Sequence, residues 1–218
     1  MITDQPTGNG VLYVLSTVAP EAHQPFSEWC DTIHHFDTMR IEGFLSLRRF
    51  ELVDGVVAAG VPDYRLLTLY QVTEPDNADF STESYRQHTA TYTPPPDGVV
   101  DHINFEREVF TRAESNGGST QPVGSACVCI DGASGSWLDH ATTLARAHGG
   151  VLNAQRLVAD DHGLLLVDIE TVDDGHGLFA ALKGATDDAG FRALRLFEQV
   201  YPPRGVLVRD RVVIEPRG

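Results

Sequence analysis

The side chains best suited to chemistry fall in two short segments of this 218-residue chain. The first is Trp29-Cys30-Asp31-Thr32-Ile33-His34-His35. An imidazole with an ordinary pKa of about 6.5 takes and returns a proton near neutrality, which makes His34 the leading candidate base, provided that it faces a cavity. Its bland alternative is a hydrogen-bonded structural histidine near a sheet. Asp31 stands three residues earlier on the same helical face, placed to orient the ring or share its ligand, or else to sit in solvent as an ordinary helix carboxylate. His35 points about 100° away from His34 on a regular helix and is expected at an edge or in water. The second segment is Tyr85-Arg86-Gln87-His88, which sets a phenol and an imidazole on one helical face. One can donate to a carbonyl or enolate oxygen while the other abstracts a proton, unless both polar tips simply rest in water. Tyr92 follows closely and could line an entrance. Arg49, at the end of an expected strand, offers a fixed fork for a carboxylate or phenolate, and a salt bridge is equally natural for it. Trp29 and Tyr70 suit a pocket wall, although large rings on apolar faces are more commonly core.

Other chemistries find less support. The Gly-rich run 131–136 lacks both the Gly-Lys-Ser/Thr ending of a phosphate loop and the dinucleotide Gly-x-Gly-x-x-Gly, so a strand-to-helix turn is expected there. His34, His35 and Asp31, together with Asp161-His162 and Asp173-Asp174-Gly175-His176, have no metal-site spacing, and no metal is expected. Heme needs an axial ligand and a large pocket, and neither His34 nor His88 can be assigned to that task. No cofactor is expected.

Sixteen Lys and Arg against 31 Asp and Glu give a net charge of -15, so nucleic acid and acidic membrane surfaces meet net repulsion. The expected partner is instead a hydrophobic or aromatic small molecule. Cys30, Cys127 and Cys129 do not make a disulfide framework, and the start of the chain lacks a secretion signal, so a cytoplasmic location is expected.

These residues need elements to position them. Apolar, β-branched or alternating runs predict strands over 10–18, 44–53, 64–73 and 102–111. Between the first two, Pro20 and Pro25 suit the start of a helix whose apolar stripe is Phe26, Trp29, Ile33, Phe36 and Met39, ended by Gly43. A second helix is expected over 79–92, stopped by Pro94-Pro95-Pro96. The polar, Gly/Ser-rich stretch 112–121 reads as a linker. The pattern then restarts, with strands expected over 123–130, 151–159, 164–171 and 206–214, and helices over 136–147 and 177–197, the latter interrupted near Gly190. Each half thus follows the βαββαβ, or ferredoxin-like, plan, giving an α+β protein with one repeat over 10–111 and a second over 122–218. Trp29-Cys30-Asp31 matches Trp137-Leu138-Asp139, and Phe44-Leu45 with Arg49 matches Val151-Leu152 with Arg156, which supports a duplication. Thr142 or its neighbour stands where the first half has His34. Each four-stranded sheet leaves one face bare, and packing the two bare faces together within one chain hides that apolar area. The pocket between them is expected to be served by His34, and a monomer is sufficient, with homo-oligomers still open.

The run from Trp29 to His34 and on through Ile41-Glu42-Gly43-Phe44 to Arg49 resembles the dimeric α/β-barrel superfamily, especially its EthD-like branch. Members read W-Y-D-x-x-H, a short helical stretch, P-G-F and a strand ending in arginine; here Cys30 replaces the frequent Tyr and Glu42 the frequent Pro. Tyr64 to Val72 resembles the third strand of that superfamily. The segment of Tyr85 and His88 loosely resembles the second helix of its polyketide cyclases, with Thr89 in place of the usual proline. The likeness covers 11–111 and rests on topology beyond. It implies a barrel of two ferredoxin-like units fused in one chain, in a superfamily that includes polyketide cyclases, cofactor-free monooxygenases, isomerases and heme-dependent enzymes. Fold narrows chemistry little in such a group. The resulting expectation is a cofactor-independent enzyme performing proton-transfer chemistry, a cyclisation, isomerisation or elimination, on an aromatic or polyketide-like substrate. The alternatives are a cofactor-free monooxygenase of such a substrate and a non-catalytic hydrophobic-ligand-binding protein.

Overall fold

The apolar runs of the sequence become strands that bury at least one face, and β-strands such as 10–18, 66–72 and 163–169 are buried almost throughout. In the computed structural model, which describes residues 4–113, 120–132, 135–160, 162–184, 191–202 and 206–209, the order begins with β1 (Asp4–Pro6) and β2 (Gly10–Val18). A continuous helical stretch follows, made of α1 (Pro20–Trp29), a π-helical turn (Cys30–His34) and α2 (His35–Thr38). Next come β3 (Phe44–Val57), β4 (Leu66–Val72), a 3-10 turn (Pro75–Ala78), α3 (Glu83–Thr89), a second 3-10 turn (Val100–His102) and β5 (Ile103–Arg112). The remainder is β6 (Thr120–Pro122), β7 (Ala126–Gly132), α4 (Gly135–Ala147), β8 (Val151–Val158), β9 (Gly163–Ile169), α5 (Val172–Lys183), β10 (Phe191–Tyr201) and β11 (Leu207–Val208).

The protein is α+β with a large antiparallel sheet. In the first half β2 lies between β4 and β5, with β3 beyond β4; in the second, β7 lies between β9 and β10, with β8 beyond β9. Both halves therefore order their strands fourth, first, third, second, as the βαββαβ plan requires. The two sets are joined at both ends. β10 pairs with β3 from Ala193 opposite Val57 to Tyr201 opposite Arg49, and β5 meets β8 at Thr111 opposite Val158 and Arg112 opposite Leu157. The strand pairings thus run in a closed circuit, with β11 added beside β3.

Two expectations change here. Residues 191–197 are strand rather than helix, and β10, not 206–214, is the fourth strand of the second half. The run Phe191–Phe197 is buried on both sides, Leu194 and Leu196 against α4 and α5 and Phe197 against the opposite sheet, so its apolar residues show neither period clearly. Of 206–214 only Leu207 and Val208 pair, with Leu47 and Ser46, and 210–214 lie outside the described residues, as does most of the 112–121 stretch.

Alternation assigns the two sides of the circuit. Val11, Tyr13, Leu15, Phe50, Leu67, Leu69 and Phe110 of the first half share one cluster with Cys127, Cys129, Leu157, Leu164, Leu166 and Phe197 of the second. The bare faces do meet, as expected, but side chains fill the space between them. The cavity that these inward residues line with Glu108, Asp131 and His162 is about 10 Å³, room for about one water. The opposite sides carry the helices, Leu12, Leu47 and Tyr70 packing with Met39 and Ile41 in one half, and Val128, Ile130, Leu165 and Val167 with Trp137, Leu138, Leu178 and Phe179 in the other.

One ion pair crosses the interior. Arg48 Nη2 donates to Asp168 Oδ1 at 2.5 Å, with the two side chains 1% and 0% exposed. The register shift between Phe44 and Ser46 puts Arg48 on the inward face, over the Phe50 ring. Burial raises the Asp168 carboxyl despite the guanidiniums of Arg48 and Arg112. The pair therefore specifies the packing of the halves more than it stabilises them. Replacing Asp168 by Ala leaves Arg48 buried and unpaired, and urea unfolding is expected to show a loss of about 3–5 kcal/mol, with a smaller loss in the Arg48→Met/Asp168→Leu double variant. A single-variant loss no larger than that of the double variant would contradict this.

Candidate functional site

The helical stretch that carries His34 is irregular. Pro20 suits the first turn of α1, but Pro25 inside it has no N–H to give to the preceding turn. At the end of α1 the Cys30 N–H is shared between the Phe26 and Ser27 carbonyls, and the chain opens into the π turn. A π turn accommodates an extra residue, so every side chain after it faces differently from the regular-helix expectation. His35, expected at an edge or in water, is 1% exposed, and Thr38 and Met39 are also buried, whereas Ile33 and Phe36 of the expected stripe are only half-buried.

This stretch clasps the segment after α3. Trp29 Nε1 donates to the Thr93 carbonyl at 3.2 Å, and the Thr93 N–H donates to Asp37 Oδ2 at 3.1 Å. Tyr92 is thereby held over His34. The His34 ring stacks on Trp29 at 4.6 Å between centroids and meets the Tyr92 ring edge-on at 5.6 Å. His88 lies edge-on to the other part of Tyr92 at 6.2 Å, and Tyr85 packs on Phe80 at 4.7 Å. Behind His34, His35 contacts Tyr70 at 6.4 Å and Tyr201 at 5.5 Å. The structure therefore gathers His34, Trp29, Tyr92 and His88 in a chain of ring contacts, with Tyr70 and Tyr85 in the same apolar cluster as Tyr92. It does so on the helix-bearing side of the sheet. Tyr70 shares its face with Leu12 and Leu47, so His34 is separated from the filled interior by the sheet itself, and the expected pocket between the halves is not where the imidazole lies.

Burial sets the electrostatics. It pulls the His34 pKa down to about 4, against a smaller opposing effect of Asp37, and pulls His35 well below its ordinary value. Both imidazoles are neutral at pH 7. Burial also lifts the Tyr92 and Tyr70 phenols well above their usual value, and Tyr85 to about 12, so all three remain protonated donors. Two buried imidazole atoms at this place, His34 Nδ1 and His35 Nδ1, form no hydrogen bond of good geometry, and the Thr38 hydroxyl lies against the Tyr92 and Tyr70 phenols. Such atoms between a π turn and a sheet suit a polar ligand or water.

Asp31 and Arg49 are near but engaged with each other. Arg49 Nε and Nη2 donate to the two Asp31 oxygens at 3.0 and 2.7 Å, and Nη1 reaches Ser27 Oγ at 3.4 Å. Burial raises the Asp31 carboxyl more than Arg49 lowers it. Its Oδ1 is 3.6 Å from His35 Nδ1, so Asp31 lies beside His35 rather than orienting His34. The same pair recurs in the second half, where Arg156 bonds Asp139 and Thr142, at the His34 position, donates to the Leu138 carbonyl at 2.6 Å. Thr38, Asp37, His35 and Tyr201 are the site residues that sequence reasoning missed. Only Pro25 hinted at the irregular helix that brings them in.

No protein-family profile matches the chain, and no curated protein matches it in sequence. Solved structures do. An anthrone oxidase-like protein superposes with a TM-score of 0.57 and 11% identity over 92% of each chain. A Rhodococcus jostii DypB variant in complex with heme gives 0.52 and 8% over 94% of this chain and 95% of that one. A chlorite dismutase mutant from Candidatus Nitrospira defluvii, in complex with cyanide, gives 0.50 and 9% over 88% and 90%. At these identities the likeness shows a shared ferredoxin-like α+β fold. Neither the 10 Å³ cavity beside His162 nor the groove of about 380 Å³ along β8, which no histidine among the described residues lines, offers a heme-sized space with an axial histidine. Among the described residues, no helix is long and apolar enough to cross a membrane, and no group of three His, Cys, Asp or Glu is arranged to hold a metal.

The depressed His34 value has a pH consequence. Between pH 6.5 and about 4 the unfolded chain takes up a proton that the folded site refuses, so stability is full above pH 6.5 and falls as the pH drops through this window, His35 acting in the same direction. Urea midpoints at pH 7 and 5 should show the fall, and His34→Gln should make it shallower. In NMR titrations the His34 ring is expected to protonate near pH 4; protonation above pH 6 would refute its burial.

Proposed function

We propose that the closed strand circuit is an intramolecular α/β barrel of two ferredoxin-like repeats, 10–111 and 122–218 joined by 112–121, of EthD-like type, and that the first repeat carries the active centre of a cofactor-independent enzyme. The recurrence of Trp29, Asp31 and Arg49 as Trp137, Asp139 and Arg156, with the ion pair repeated, supports the duplication. The observation that carries the activity is the neutral, half-buried His34 imidazole, its Nδ1 without a hydrogen-bond partner, stacked on Trp29 and set edge-on to Tyr92. Trp29, Tyr70 and Tyr92 supply flat apolar walls for an aromatic or polyketide-like substrate. His34 takes a proton from an activated carbon or phenol. A pKa of about 4 makes it a weak base when the site is empty, but an enolate forming against it favours the imidazolium, so proton transfer and charge development strengthen one another. Tyr92 or Tyr85, still protonated, donates to the enolate oxygen, and His88 stands next to Tyr92 for the return of the proton. Asp31 and Arg49 fasten the helix to β3 and act by positioning.

The chemistry that follows is cyclisation, isomerisation or elimination. A second reading, favoured by the likeness to an anthrone oxidase-like protein, is that the carbanion reacts directly with oxygen, as in anthrone plus O₂ giving anthraquinone plus water. A carrier of hydrophobic ligands would use the same walls without the proton transfer. The compound 1,8-dihydroxyanthrone separates the three. Deuterium exchange at its activated carbon without air reports proton abstraction, and quinone formation in air reports oxygenation. Wild-type protein is expected to accelerate the exchange, and His34→Ala to lower the rate by about 10²–10⁴-fold with folding intact. Exchange no faster than in buffer, or equal in wild type and variant, would reject His34 as the base.

A further inference from the structure

The two seams that close the strand circuit are unequal. β10 and β3 pair over most of their length, whereas β5 and β8 meet at two residue pairs only, with one further bond from the Ala113 N–H to the Arg156 carbonyl at 3.0 Å. Along the rest of β8, from Val151 to Arg156, the short seam leaves a groove of about 380 Å³, within the range of small-molecule sites. Its polar lining is Arg112, Arg146, Arg156, Gln121, Asn153 and Gln155. No carboxylate is among the described lining residues, in a chain that carries 31 acidic residues against 16 basic ones.

The groove is built rather than merely open. Arg112 is 7% exposed and is held by the Gly8 carbonyl at 2.6 Å and by the Gln71 side chain. Asn153 Nδ2 donates to Gln121 Oε1 at 2.8 Å, which fixes both amides. Arg156 bonds Asp139 with Nη1, while its Nε is buried without a partner. Gln155 is 5% exposed, and neither atom of its amide has a hydrogen-bond partner. Unmet amide and guanidinium groups next to a polar groove are a cost to folding unless something in the groove answers them.

We propose that this groove binds the compact oxyanion, a phosphate or a carboxylate, of a small polar molecule, at a site separate from the His34 centre. Guanidinium forks match the paired oxygens of such groups, and Arg156 has its Nε left over once Nη1 has bonded Asp139. The Gln155 amide and Arg156 Nε supply the donors that a second oxygen would use.

Calorimetry on the full chain at low salt, with inorganic phosphate in one series and malonate in another, tests the site. Saturable binding of either anion at millimolar concentration or below is expected and identifies the oxyanion class. Arg156→Gln and Gln155→Leu should each weaken it by about tenfold or more. Gln155→Leu removes a buried unpartnered amide, so the thermal midpoint of the free protein should hold or rise, which separates lost binding from lost folding. Absence of binding by both anions, or equal affinity in wild type and both variants, would overturn the proposal.

Discussion

A sheet that closes on itself has an inside, and what fills that inside decides where a ligand can go. Each strand presents alternate side chains to its two faces, so once β10 has paired with β3 and β5 with β8, the inward rows of both halves have only one another to pack against. Here those rows are mostly Leu, Val, Phe, Tyr and Cys side chains, crossed by the Arg48–Asp168 pair, and the cavity beside His162 has about the space of one water. The aromatic group around His34, under the first helix, and the arginine-lined groove along β8, where β6 and the shorter seam meet it, both lie outside that cluster.

Placing a site between helix and sheet requires the helix to give up some packing. The π turn at Cys30–His34 does this by turning His35 and Thr38 toward the sheet and leaving His34 at the margin, where a regular helix would have buried Ile33 and Phe36. The result is a small region with neutral imidazoles, raised phenols and two imidazole nitrogens without hydrogen-bond partners. Each such atom costs about 1–3 kcal/mol when nothing answers it. The packed apolar layer on the other sheet face offsets that cost, so the polar group around His34 and that layer are separated by the thickness of one sheet.

The alternating strands were legible because alternation survives in sequence wherever one face is distinct. The order βαββαβ, its repetition and the segment carrying Trp29, Asp31, His34 and Arg49 could all be read that way. The helical reading of 191–197 failed because Leu194 and Leu196 on one face and Phe197 on the other make the run apolar throughout. His35 was misplaced because a π turn has no sequence signature beyond a proline upstream, and one extra residue per turn is enough to exchange the buried and exposed faces. The inward position of Arg48 is hidden for a related reason: an arginine in a strand suggests solvent until its partner is known, and Asp168 is supplied by a strand 120 residues away. The groove at β8 was invisible because a seam is a property of closure, not of either segment alone.

The comparison between halves separates scaffold from chemistry. The bond from a helix aspartate to a strand arginine occurs twice, as Asp31 with Arg49 and Asp139 with Arg156, and in both places it ties the first helix of the half to its second strand. A feature repeated where no imidazole follows is explained by that tie alone. The residues that differ between the halves carry more information about function. His34 in the first half faces Trp29 and Tyr92, whereas Thr142 in the second returns its hydroxyl to its own helix at Leu138, and Trp137 packs against Phe191. At this segment the second half has thus turned its counterparts into its own helix and core, while the first keeps the His34 and His35 Nδ1 atoms without hydrogen-bond partners and rings that burial leaves unprotonated. That asymmetry, rather than the presence of any single residue, is what directs attention to the His34 side of the molecule.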